Sequence, residues 1–215
     1  AFVKGNGVKM VKVKICGIMN IEAALIAVDN GADALGFVFA HSKRRITPDA
    51  AKSIIEQLPP QVEKVGVFVN ETPEMMEKIA GYCGLTMIQL HGEESYDVCK
   101  QLRYRVIKAI GIASEEDVQQ AMLYPCNDIL VDSPKGHGYQ GGNGQTFDWH
   151  LVEKLHESNK NIILAGGLNN ENVTEAIRAV HPFMVDVSSG VETNGVKDHR
   201  KIQLFLQTAK GENVQ

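Results

Sequence analysis

Short runs of valine, isoleucine and leucine recur along the chain, each followed by a stretch whose apolar residues return every three or four positions. Val11-Lys-Val-Lys-Ile-Cys16 alternates and then meets Gly17. Asn20 follows as an N-cap, and a helical run continues to Val28 before Asn30-Gly31 closes it. A second strand is predicted at 34–38, and Thr47-Pro48 combines an N-cap with proline at the first helical position. The cycle continues with strands at 65–69, 87–90, 106–110, 129–132, 162–165 and 184–187. Helices are predicted to open at Thr72-Pro73, Glu93, Ser114, Phe147, Glu171 and about Asp198.

Strand and helix alternating through eight cycles predict an α/β fold, a parallel barrel of the (β/α)8 type. Its strands are covered on both faces, which explains apolar runs that are nearly continuous. An open doubly wound sheet is the rival, but its GxGxxG turn after the first strand is replaced by Cys16-Gly17-Ile18-Met19-Asn20. No linker-like break interrupts the series, so one domain is expected over 11–210. Residues 1–10 read as a leader or short extension, with Met10 a natural start, and 211–215 as a tail.

Composition narrows the function. The 215 residues are 44% hydrophobic and 22% charged, enough for a sizeable core, and the net charge is −4. A nucleic-acid partner is not expected, because phosphate backbones select basic faces. No apolar run is long enough to span a bilayer, so no membrane partner is expected either. Cys16, Cys83, Cys99 and Cys126 lie far apart with no CxxC pair, which argues against a zinc site or disulfide framework and favours a cytoplasmic setting.

Barrels of this kind carry their sites at the C-terminal strand ends. Here those ends supply Cys16, then Gln89 and His91, Asp132, Gly166-Gly167 and Ser188-Ser189-Gly190. The two glycine turns follow strands seven and eight, where phosphate-binding barrels present backbone amides to an anion. Asn169 can cap the helix beyond the first, and Ser189 with Glu192 has capping-box spacing. Cys16 stands at a rim faced by helix N-termini, a field expected to lower a thiol from about 8.5 toward neutrality. Strand six lies three steps from strand one across a closed ring, so Asp132 and Cys16 can face one another as acid and base. Arg44 in the basic loop 42–45 can fork onto a carboxylate. The glycine-rich loop 133–146 reads as a mobile cover. Cys83, Cys99 and Cys126 read as packing residues.

These residues carry a resemblance. Lys14-Ile-Cys-Gly-Ile18, Gly31-Ala-Asp-Ala-Leu-Gly-Phe-Val-Phe39, Ser42-Lys-Arg44, Val65-Gly-Val-Phe-Val-Asn70 and Gln89-Leu-His-Gly92 are similar to the phosphoribosylanthranilate isomerase family of tryptophan biosynthesis. So are Asp132, Gly141-Gly-Asn-Gly-Gln-Thr-Phe-Asp-Trp149, Leu164-Ala-Gly-Gly-Leu-Asn169 and Val185-Asp-Val-Ser-Ser-Gly-Val-Glu192, in the family's order along about 11–210. The resemblance implies an Amadori rearrangement of a phosphorylated aminosugar with no metal or cofactor, by a monomer or homodimer. It also implies Cys16 as general base, Asp132 as general acid and Arg44 on the anthranilate carboxylate. Gln89 and Asp186 would be further substrate contacts, as would His91 unless it is merely a strand-end histidine, with Gly166, Gly167, Ser188, Ser189 and Gly190 at the phosphate. Two alternatives are the related histidine-pathway aminosugar isomerase, which carries aspartate where Cys16 stands, and a non-catalytic phosphate-binding barrel.

Overall fold

A computed structural model describes residues 9–132, 149–211 and 213–214. Eight parallel strands close into a barrel. They are β1 (Lys12–Cys16), β2 (Ala34–Val38), β3 (Glu63–Phe68), β4 (Met87–Leu90), β5 (Arg105–Gly111), β6 (Asp128–Asp132), β7 (Asn161–Ala165) and β8 (Met184–Val187). The ring is completed by β8 pairing with β1, where Lys14 stands opposite Asp186.

Each strand is followed by a helix: α1 (Ile21–Asp29), α2 (Pro48–Ile55), α3 (Pro73–Cys83), α4 (Tyr96–Gln101), α5 (Glu115–Leu123), α6 (Trp149–His156), α7 (Val173–Val180) and α8 (His199–Lys210). Four of the predicted caps act as such. Asn20, Thr47 and Thr72 accept from the amides of Ala23, Ala50 and Met75, and Ser114 forms a reciprocal box with Asp117. Each such cap contributes about 1 kcal/mol. In α7 the buried residues are Val173, Ala176, Ile177 and Val180, and in α8 Ile202, Phe205, Leu206 and Ala209. Both sets follow the i, i+3, i+4, i+7 spacing that turns one stripe toward the barrel.

Side chains alternate between lumen and helix layer along every strand. The lumen is filled by Ala34, Val65, Met87, Ile107, Leu130 and Ile163 among others, so the barrel is a packed core rather than a pore. Below that layer, at the N-terminal mouth, Arg105 bridges Glu63 and Asp128, each at 3.2 Å. Above it the lumen becomes polar, with Lys14, Gln89 and Asp186 buried. Lys9–Met10 and Asn213–Val214 form a short antiparallel ribbon outside the barrel.

Candidate active site

A cavity of about 320 Å³ opens at the C-terminal strand ends. Cys16 reaches it from the end of β1, Asp132 from the end of β6, and Gln89 and His91 from the end of β4. Gly166 and Gly167 border it after β7, Asp186 at the end of β8, Ser188 and Ser189 just beyond, and Arg44 from the loop after β2. Cys16 and Asp132, from strands far apart in the ring, thus open onto the same space. Gly190 is not part of the lining. The glycine-rich loop 133–146 and the start predicted for α6 at Phe147 lie outside the described residues.

The electrostatics of Cys16 correct one expectation. The thiol is pushed above its ordinary value, not drawn toward neutrality. Burial is the dominant cause, because a thiolate loses its hydration in a pocket where the residue is 8% exposed. The ammonium of Lys14 opposes that rise, Asp186 adds to it, and Lys197 opposes it more weakly.

Across the cavity, Nε2 of His91 stands 3.9 Å from Oδ2 of Asp132. The side-chain nitrogen of Gln89 lies 2.9 Å from Nδ1 of His91. An amide NH₂ can only donate, so Nδ1 is the acceptor and the ring proton sits on Nε2, toward Asp132. Burial lowers the imidazole below its usual range, against the pull of Asp132 and Asp186, so His91 is neutral at pH 7. The other end of the Gln89 amide, Oε1, is buried without a hydrogen-bond partner among the described residues.

The corner formed by the turns after β7 and β8 is braced from behind. Gly166 and Gly167 have φ of +88° and +69°, a region strained for any residue with a β-carbon, and this turns the chain sharply out of β7. After β8, the hydroxyl of Ser188 donates to the carbonyl of Cys16 at 3.1 Å. A single 3-10 turn spans Ser189–Val191, but the predicted capping box is absent: Ser188 precedes the turn and no side chain caps it. Glu192 turns elsewhere. Its carboxylate accepts both a fork from Arg44, at 2.6 and 2.8 Å, and a bond from Nζ of Lys197 at 2.6 Å. Burial would raise this carboxyl, yet Arg44 and Lys197 together hold it below its usual range. Lys197 also donates to the carbonyl of Ser188 at 3.0 Å. The fork that the sequence assigns to a ligand carboxylate is therefore turned on a protein carboxylate.

Gly190 supports this corner by being small. A β-carbon there would lie 1.9 Å from the carbonyl oxygen of Leu168, forcing the loops after β7 and β8 apart. Gly190→Ala is expected to cost about 1–3 kcal/mol through overpacking, measured as a lower midpoint in thermal unfolding. An unchanged midpoint would show that the two loops have room to spare.

Sequence reading missed Glu192, Lys197 and Lys14 as parts of this region. The signal for Lys14 was present: in the alternation of β1 it shares a face with Cys16, and that face had to be the lumen. For Glu192 the local pattern pointed to a cap instead, and its partner Arg44 arrives only through the fold, 148 residues away, while Lys197 meets it across a short hairpin.

Comparison with known proteins agrees with this architecture. The family model for N-(5'phosphoribosyl)anthranilate (PRA) isomerase matches residues 13–208. An N-(5'-phosphoribosyl)anthranilate isomerase of Bacillus cereus (strain B4264) is 55% identical over 200 residues, spanning 93% of this chain and 98% of its own. The crystal structure of phosphoribosyl anthranilate isomerase from Thermotoga maritima superposes with a TM-score of 0.86 at 49% identity, covering 94% of this chain and all of that one. A phosphoribosyl anthranilate isomerase solved with reduced 1-(o-carboxyphenylamino)-1-deoxyribulose 5-phosphate gives a TM-score of 0.84 at 47% identity, with the same coverage. With the barrel, the strand-end cavity and these matches together, the chain belongs to the N-(5'-phosphoribosyl)anthranilate isomerase family.

Proposed function

We propose that this isomerase converts N-(5-phosphoribosyl)anthranilate to 1-(2-carboxyphenylamino)-1-deoxyribulose 5-phosphate in tryptophan biosynthesis, in the cytoplasm, with Cys16 as general base and Asp132 as general acid. The observation that carries the assignment of roles is the shared cavity. One thiol and one carboxyl, from β1 and β6, open onto a space of about 320 Å³ bordered by the glycine turns after β7 and β8. A family relative binds a reduced, phosphorylated form of the product, in keeping with a phosphate held at those turns.

The chemistry begins with two proton transfers, and a tautomerisation completes it. Asp132, protonated, gives its proton to the ribose ring oxygen; the C1–O bond breaks, and the anthranilate nitrogen forms an iminium with C1. That cation acidifies the hydrogen on C2. Cys16 thiolate removes it, giving an enolamine, and protonation at C1 with loss of the enol proton yields the ketone. The substrate nitrogen serves as the electron sink. Neutral His91, with Nε2–H toward Asp132, helps orient the acid. The unpartnered Oε1 of Gln89 is suited to accept from a sugar hydroxyl. Arg44 meets the anthranilate carboxylate by exchanging part of its bond to Glu192.

The direct test is turnover. Freshly prepared phosphoribosylanthranilate should lose its anthranilate-type fluorescence when the purified protein is added, and no loss would refute the assignment. A pH profile adds a second prediction. The base must be ionised, and the Cys16 thiol is raised by burial. In the free enzyme, kcat/KM should therefore climb with pH from neutrality into the alkaline range as the thiolate fraction grows. A profile flat from pH 7 upward would place the base on another group.

A further inference from the structure

We propose that Lys14 is a positioning residue for this reaction: its buried ammonium, held by Asp186, is the counter-charge that lets the Cys16 sulfur stand as a thiolate at the cavity floor. The inference rests on the reading of Cys16 as base and names what makes that base available.

The placement follows from strand geometry. Lys14 and Cys16 are two residues apart on β1 and so share a face. That face is the lumen, since Lys14 lies opposite Asp186 in the β1–β8 register and its Nζ is 2.8 Å from Oδ1 of Asp186. Lys14 is 0% exposed. A lysine so deep would ordinarily shed its proton. Here burial is outweighed by Asp186 and Cys16, and the ammonium is kept.

A buried ion pair is a poor stabiliser, because desolvating two charges consumes most of their attraction. Elsewhere in the lumen the same packing problem is solved with Ala34, Val65, Leu130 and Ile163. A charged pair on the same face of β1 as the thiol calls for a reason other than stability.

The surroundings of the sulfur supply one. Four charged groups act on Cys16: Lys14 on its own strand, Asp186 on β8, Lys197 in the antiparallel ribbon of Glu192–Thr193 and Val196–Lys197 after β8, and Arg44 from the loop after β2. Arg44 and Lys197 are both committed to Glu192 at 2.6 Å. Lys14 is the strongest of the favourable influences on the sulfur. One cation therefore stands between two acids. Asp186 fixes the ammonium in place and competes for it, so the two partners act on the thiol with opposite sign.

That opposition makes the test. Cys16 lines the cavity and is open to a small alkylating agent. The pH dependence of its carboxamidomethylation by iodoacetamide, resolved from Cys83, Cys99 and Cys126 by peptide mass spectrometry, reads the thiolate in the substrate-free enzyme. Lys14→Met should slow the reaction at a fixed pH near 8 on the order of tenfold, since an adjacent opposite charge is worth about 1–3 pH units. Asp186→Asn should speed it by freeing the ammonium for the sulfur, and Lys14→Arg should stay near wild type. Lys14→Met/Asp186→Asn exchanges the pair for neutral groups and leaves no stranded buried charge. It should still react more slowly than wild type, because the pull of Lys14 exceeds the push of Asp186. Should Lys14→Met not fold, this double variant decides alone.

The proposal is overturned if Lys14→Met or the double variant alkylates at the wild-type rate, or if Lys14→Met and Asp186→Asn shift the rate in the same direction. Failure of the underlying role assignment looks different: Cys16→Ala would keep its turnover while the alkylation pattern stayed as described.

Discussion

Replacing Cys16 with alanine, or Asp132 with asparagine, should lower kcat by about 10²–10⁴-fold and leave KM close to its wild-type value. Under the proposed roles each group moves a proton only in the transition state. The turns after β7 and β8 and Arg44, which that proposal assigns to holding the ground state, remain in place in both variants. Loss of an interaction made only in the transition state appears in kcat and in kcat/KM equally. Steady-state kinetics on the two variants decide the point. A variant that keeps near-normal turnover has lost a bystander, and a rise in KM alone would mark a binding group instead.

The largest effect on stability is expected far from the thiol. Lys108 lies on the helix-facing side of β5, where its Nζ donates to Oε2 of Glu94 at 2.8 Å and to the carbonyl of Gly92 at 2.6 Å. Both side chains of the pair are nearly inaccessible, at 3% and 2% exposure. Glu94 also accepts from the amides of Asn70 and Gly92. Lys108→Met would strand that carboxylate, at about 3–5 kcal/mol. The thermal midpoint should fall by roughly 6–20 °C at this chain length. The wild-type pair has a pH signature of its own. Burial would raise the Glu94 carboxyl, but Lys108 and the amides hold it below the usual range. Its contribution is therefore complete above the ordinary glutamate value and is lost as pH falls through the depressed one. If Lys108→Met melts within a degree or two of wild type, the pair is not a clamp.

Most of the barrel was legible because its signals are local. The strands predicted at 34–38, 87–90 and 184–187 run end to end as observed, and the Thr-Pro caps and Ser114 start their helices where placed. Where boundaries moved, a side chain had claimed the backbone. α4 starts at Tyr96 rather than Glu93, as Glu94 turns inward to Lys108 and gathers amides around itself. α7 starts at Val173 rather than Glu171 because Asn169 accepts from the amides of Glu171 and Asn172, holding them in a turn before the helix.

The strand-end rule found the cavity residues, since it converts a strand's last position into a place in space. Partners joined across the chain stayed hidden. Arg44 and Glu192 are 148 residues apart, and Lys14 and Asp186 are 172 apart. No spacing pattern announces such pairs, and at Ser189–Glu192 the local pattern pointed to a cap that a distant arginine outcompeted. The thiol's raised value was hidden for the same reason. It depends on how deeply Cys16 is packed, which only the assembled ring decides.

The arginine bridge at the N-terminal mouth and the apolar residues above it fill the lower lumen. Among the described residues, reactant, product and any hydrogen ion released beside the sulfur would therefore share the doorway on the side where the helices begin. Traffic through that doorway, rather than leakage from beneath, sets how readily the hydrogen lifted from the sugar can trade places with one from bulk water.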